Sequence, residues 1–245
     1  MKKEYWLILI TYIIMQFSSF IGVPLVNGIG LFLGYDEETV FAYSFIIWTL
    51  FSFSAALLIT LFLLRKEMFS RDLRKQKAPL GTSVAWAVGG IFLAYFAQVA
   101  AASIESILGI EMKSENTEAI LNIIEAFPVF IIITSVIGPI LEEIVFRKVI
   151  FGSLYQRFNF AASALISSLI FAVAHRELEH LLLYTAMGFT FAFLYVKTKR
   201  ILVPIFAHVA MNTIVVLLQS VFKEDIERII REAEQIQGFI GGLLS

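Results

Sequence analysis

Seven apolar stretches divide this chain, at about 5–26, 40–64, 83–108, 119–141, 161–175, 178–196 and 201–221. A helix needs roughly 20 residues to cross the hydrocarbon of a bilayer, and inside lipid each backbone N–H and C=O must be paired within the protein. Such a chain is expected to be an all-α, polytopic membrane bundle. Composition agrees: 59% of the 245 residues are hydrophobic and 16% charged, against about 45–50% and about 25% in soluble domains. One soluble core of this size could not hide that excess of apolar surface, whereas lipid can solvate it. The fifth stretch is short for a span, and the fourth continues as an amphipathic helix to about Phe158.

The apolar run after Met1, Lys2 and Lys3 is too long for a signal peptide and lacks a small-residue cleavage site, so it reads as a first membrane helix. No repeat, low-complexity tract or long linker interrupts the chain. The expectation is therefore one transmembrane domain over 1–245, with a catalytic core at about 119–220 and an interfacial tail at 222–245. In that tail, Lys223 to Gln237 has a helical pattern with Ile226, Ile229 and Ile230 on one side, which suits a helix lying on the membrane surface.

Basic loops tend to stay in the cytoplasm. Arg65, Lys66, Arg71, Arg74, Lys75 and Lys77 share one loop, Arg147, Lys148 and Arg157 a second region, and Lys197, Lys199 and Arg200 a turn. The alternate loops are acidic, with Asp36, Glu37 and Glu38 in one and Glu111, Glu115 and Glu118 in the next. The two sets alternate across seven spans. This predicts a multi-pass protein of the cell membrane with its N-terminus in the cytoplasm and its C-terminus outside. The net charge of −1 implies no nucleic-acid partner, and the absence of cysteine excludes disulfides, thiolate nucleophiles and Cys-based metal sites.

Ionisable groups inside lipid are costly and so are functional candidates. Three constellations stand out. Glu142-Glu143-Ile144-Val145-Phe146-Arg147 puts Glu143 and Arg147 at i and i+4, ready to pair, with Glu142 turned about 100° away. Phe171 and His175 share a face, as do His208 and Asn212 just after Pro204. Each has an ordinary reading: a solvated helix end, a carbonyl-bonded structural histidine, and an interhelical polar pair. Geometry ties them together. Glu142 lies about 16 residues before the turn at 157–159 and His175 about 17 after it, so at ~1.5 Å per residue both sit at one depth on adjacent helices. If the basic 142–158 arm partly protrudes from the bilayer, His208 is level with them. Two donors, Asn212 and a His208 protonated on its inward nitrogen, would suit an oxyanion.

Glu142-Glu143-x-x-x-Arg147, Phe171-x-x-x-His175 and His208-x-x-x-Asn212, in this order and within membrane helices, resemble the motif set of the CPBP family. That family comprises the CAAX prenyl endopeptidases of the Rce1 type, bacteriocin-processing and bacteriocin-immunity proteins, and the abortive-infection proteins. The resemblance covers about the last 100 residues by motif and the remainder by hydropathy. Members often have eight membrane helices, against the seven counted here. The resemblance implies a glutamate-dependent, metal-independent intramembrane endopeptidase without cofactor, acting on peptide or membrane-protein substrates. It assigns Glu142 as general base, His175 as its partner in activating water, His208 and Asn212 as the oxyanion hole, and Glu143, Arg147 and Phe171 as support.

Other designs fit less well. A zinc peptidase of the H-E-x-x-H type is absent, since His175-Arg-Glu-Leu-Glu-His180 has the wrong spacing. Zinc on Glu142, His175 and His208 stays open, because two His and one Glu form a known catalytic ligand set. The three aspartates, Asp36, Asp72 and Asp225, lie outside the spans, and Ser163, Ser167 and Ser168 sit in no nucleophile motif. The rival classes are a non-catalytic membrane protein, such as an immunity factor using the cluster as glue, and a proton-coupled transporter. No internal symmetry supports the transporter, although Pro128 and Pro139 interrupt the fourth helix. Gly188 reads as a close-packing point, and Glu105 and Glu125 as groups near the outer interface. Substrate access is expected from the basic side.

Overall fold

The computed structural model describes residues 1–68, 77–112, 114–221 and 228. The surface helix expected over 223–237 falls outside them apart from Arg228, as do Arg71, Arg74 and Lys75 of the first basic loop. Among the described residues the ordered elements are all helical. They are α1 (Lys3–Phe32), α2 (Glu37–Met68), α3 (Leu80–Ile107), α4 (Glu115–Ala126), α5 (Pro128–Leu154), α6 (Phe160–Ala174), α7 (Leu181–Thr198) and α8 (Leu202–Val221). Among the described residues, six helical runs are long and apolar enough to cross a membrane, and α6 is a shorter apolar seventh.

The fourth expected span is displaced. Instead of one helix over 119–141, the amphipathic α4 ends at Ala126 and a separate spanning helix begins at Pro128. The cause is local. Pro128 has no N–H to continue the ladder and pushes its predecessor out of the helical region, and Phe127 accordingly sits at φ −136°, ψ 81°. Ser114 caps α4 by accepting from the Thr117 N–H, and Asn159 caps α6 by accepting from the Ala162 N–H.

α5 is the central element. Some 56% of its spanning window is buried, against 17–39% in the other spans. Its residues Ile144, Val145, Phe146 and Val149 form one core with Tyr5 and Ile8 of α1, Leu64 of α2 and Phe171 of α6. A second core joins Ala94 of α3, Met187, Phe191 and Leu194 of α7, and Val203, Ala207 and Met211 of α8. α5 is also irregular. Two π-helical stretches, Ile132–Ile137 and Glu143–Phe151, flank the single α-helical turn Gly138–Glu142. Such widened turns re-aim side chains and are frequent at functional sites.

α6 crosses α7 at Gly188, where an added Cβ would come within 2.8 Å of Ser168 Cβ and Oγ. The glycine lets the two backbones approach closely, as small residues do between membrane helices. Large apolar side chains such as Phe20, Phe92 and Leu165 are exposed on the outside, where lipid would cover them.

Candidate active site

Glu143 and Arg147 project from the second π-helical stretch of α5 and are completely buried. The Arg147 Nε lies 3.3 Å from Glu143 Oε2, a contact between charges without hydrogen-bond geometry. Its other two guanidinium nitrogens find no hydrogen-bond partner among the described residues. They face rings instead, with the guanidinium carbon 4.2 Å from the Phe171 centroid, 5.5 Å from Phe191 and 5.9 Å from Phe146. This aromatic box replaces part of the lost hydration by cation–π attraction. The arm at 142–158 was expected to protrude partly into water. Its Arg147 lies in the protein interior and Lys148 pairs with Glu67 at 2.8 Å, whereas Arg157 at its far end is exposed.

The other oxygen of Glu143 accepts from His208 Nδ1 at 2.9 Å. Glu143 thus faces a cation with one oxygen and a donor with the other. Glu142, one position earlier, keeps about a fifth of its side chain exposed, with Oε2 3.8 Å from His208 Nε2. The pairing also decides the tautomer of His208. A carboxylate facing Arg147 can only accept, so Nδ1 carries a proton and a neutral ring would present a bare Nε2. The expected donor at the inward nitrogen therefore requires a second proton, an imidazolium flanked by Glu142 and Glu143.

His175 caps the C-terminus of α6, and Arg176 after it takes the left-handed conformation at φ 62° that turns the chain back. His175 Nδ1 donates to the Phe171 carbonyl at 2.8 Å, which leaves Nε2 unprotonated in the neutral ring. The ring sits between the edge of Phe171, 4.3 Å between centroids, and the face of Tyr184, at 4.2 Å and 27°. Tyr184 in turn donates to Glu177 Oε2 at 2.6 Å. The Glu177 Oε1 accepts from the Ser114 hydroxyl at 2.7 Å and the Asn116 N–H at 3.0 Å. Burial opposes the charge of Glu177, but these bonds outweigh it and hold the carboxyl below its ordinary range. Asn212 donates through Nδ2 to the Thr134 carbonyl at 3.2 Å; an amide has two N–H groups, so one is left.

Glu142, His175, His208, Asn212 and Phe171 line one cavity of about 1370 Å³, while Glu143 and Arg147 stand behind its wall. The cavity is also lined by Met112, residues of α4 from Asn116 to Asn122, Arg176 and Gln219, and by no described residue of the basic turns. Its lining thus reaches residues beside the acidic loops, whereas substrate access was expected from the basic side. The reason is that α6 starts at a basic turn and is only 15 residues long, so His175 ends deep within the bundle and the chain after it forms the cavity rim. Among the described residues, no three His, Asp or Glu side chains converge closely enough to hold a metal ion.

Several neighbours escaped the sequence reading. Tyr12 lines the cavity with Glu142, packs edge-on to Phe146 at 5.8 Å and accepts from Gln16 at 3.1 Å. Polar residues four apart in an otherwise apolar helix were the available signal. Thr134 acts through its backbone carbonyl and leaves no such signal. Glu105, expected near an interface, is buried, with His180 Nδ1 on one oxygen and the Leu183 N–H on the other, both at 3.0 Å. It fastens the end of α3 to the start of α7.

Fold and site together describe a polytopic membrane protein with a buried acid–histidine cluster on a largely apolar cavity. The family described as type II CAAX prenyl endopeptidase, Rce1-like, matches residues 124–214, the stretch that carries all the residues of this cluster. A Bacillus subtilis (strain 168) protein with the name "Putative membrane peptidase YdiL" is 49% identical over 245 residues, 99% of each chain. The "Membrane-embedded CAAX protease MroQ" of Staphylococcus aureus (strain USA300) is 34% identical over 238 residues, 94% of this chain and 96% of that protein. No solved structure matches. This chain belongs to the Rce1-like family of membrane-embedded CAAX-type peptidases.

Proposed function

We propose that this protein is an intramembrane endopeptidase that cleaves membrane-associated or leader-bearing peptides with a water activated by Glu142, without metal. One observation carries this reading. Of two adjacent carboxylates, Glu143 is neutralised behind the wall while Glu142 faces the cavity with the two histidines. A pair with different surroundings can divide structural and basic roles.

The chemistry follows from the atoms left free. A water between Glu142 and His175 donates one hydrogen to the carboxylate and the other to the bare Nε2 of His175, and its oxygen attacks the peptide carbonyl. Glu142 takes the first proton. The negative oxygen of the tetrahedral intermediate meets the Nε2–H of a protonated His208 and the free N–H of Asn212. Glu142 then passes its proton to the leaving nitrogen as the C–N bond breaks, and the site is regenerated. Glu143 orients His208 through its Nδ1–H and Arg147 holds Glu143, and Phe171 seats Arg147 and His175. The alternation of basic and acidic loops supports a cytoplasmic N-terminus.

The test is cleavage by the purified full-length protein in detergent. The panel would contain farnesylated CAAX peptides, leader peptides and membrane-tethered peptides. Wild type, Glu142→Gln and His175→Ala are compared with and without chelator. Activity lost in both variants and indifferent to chelator is the expected result. Loss with chelator would move the site to a metal mechanism. A Glu142→Gln protein that complements the phenotype of the deleted gene would make the cluster structural.

A further inference from the structure

Among the described residues, His175 has one directed hydrogen bond, to the Phe171 carbonyl within its own helix. Such a bond leaves the ring free to tilt about the donor axis. The tilt is set by the second contact, the Tyr184 face at 4.2 Å. Tyr184 belongs to α7, and its own position is set by the 2.6 Å bond to Glu177. Glu177 lies two residues beyond His175 and also holds the start of α4 through Ser114 and Asn116. Three elements therefore converge on one carboxylate: the turn after His175, the α7 residue stacked on His175, and the helix whose residues Asn116 to Asn122 line the cavity.

We propose that Glu177 and Tyr184 are positioning residues: Tyr184 holds the His175 ring in its working orientation, and Glu177 ties that orientation to the seat of α4 on the cavity wall. The inference rests on His175 acting in the reaction as proposed above. Neither residue touches the reacting atoms. Both act through His175, Tyr184 by its face and Glu177 by fixing the tyrosine hydroxyl and the N-terminal turn of α4 together. A substrate that shifts α4 on arrival would be felt at His175 through this one side chain.

Two readouts test this on the full-length protein in micelles. The first needs no turnover. The chain has three histidines, so selective isotope labelling of histidine gives three ring resonances, assigned by removing each residue in turn. The face of Tyr184 shields the His175 ring protons. Tyr184→Leu is expected to move the His175 signal and leave the His208 signal in place, whereas Tyr184→Phe, which keeps the face, retains most of the shielding. The second readout is hydrolysis of a quenched fluorogenic farnesylated CAAX peptide. Tyr184→Leu should lower kcat by about 10- to 100-fold with little change in KM, the size that misplacing a reacting group by about 1 Å can cost. Tyr184→Phe should recover most of that loss. Glu177→Ala should lower kcat and raise KM together, because it also frees α4. An unmoved His175 resonance in Tyr184→Leu overturns the proposal whether or not the peptide is cut. So does wild-type kcat in that variant while His175→Ala is inactive. Wild-type turnover in His175→Ala would instead overturn the catalytic reading of the site. An unchanged KM in Glu177→Ala would remove the link to α4.

Discussion

The cluster on α5 shows how one residue position separates two carboxylates into different chemistry. Glu143 and Arg147 are both fully buried, and a buried pair is worth little in net stability but is expensive to break. Arg147→Met should cost about 3–5 kcal/mol, because it strands the Glu143 charge in the interior. The double change Glu143→Gln with Arg147→Met should recover part of this loss, since no lone charge remains. Thermal unfolding of the three proteins in one detergent reads both effects. Glu177 gives a pH prediction with a definite sign. Its carboxyl is held below the ordinary range in the folded protein, so its latch is intact at neutral pH and is lost as the pH falls through its depressed value, below about 4.3. Amide exchange at 114–118 should accelerate there in the wild type. In Glu177→Gln that region should exchange faster already at neutral pH and respond less to acid.

At the level of elements, the irregularity of α5 and the shortness of α6 carry the site. α6 is about 22 Å long at ~1.5 Å per residue, less than a full crossing, and this places His175 inside the bundle. The crossing of α6 with α7 depends on Gly188, which sits against Ser168. Gly188→Val should force the two helices apart and destabilise by roughly 1–3 kcal/mol, as overpacking usually does. Gly89→Ala, where a Cβ meets nothing within 4 Å, should be tolerated. Unfolding midpoints of the two variants, measured side by side, check the contrast. If Gly188→Val also lowers kcat, the displacement has reached His175 and Tyr184, which belong to those same two helices.

For the whole molecule, the absence of cysteine makes single introduced cysteines clean reporters of sidedness. Asn116→Cys and Gln219→Cys, both on the cavity wall, are expected to react with an impermeant thiol reagent added to intact cells. Lys199→Cys, in a basic turn, should react only after the membrane is opened. The reverse pattern would invert the proposed topology and put the cavity on the cytoplasmic side.

Much of this was legible in the chain. Helical spans follow from apolar length, because lipid leaves a backbone no other way to satisfy its polar groups. Glu142, Glu143, Arg147, His175, His208 and Asn212 stood out because polar groups are scarce and costly in such a setting, and helical spacing paired Glu143 with Arg147 before any coordinates. What only the tertiary structure decided are relations between elements distant in sequence. The proton on His208 is assigned by Glu143, 65 residues away. The second N–H of Asn212 is left free because Thr134, 78 residues away, takes the first. The lining of the cavity by residues beside the acidic loops, the break at Phe127 that separates α4 from α5, and the chain of contacts from Ser114 through Glu177 and Tyr184 to His175 depend on packing. Periodicity reports which face of a helix is apolar. It does not report which side chain of another helix will meet that face, because that contact is settled by shape and hydrogen bonding once the helices have assembled.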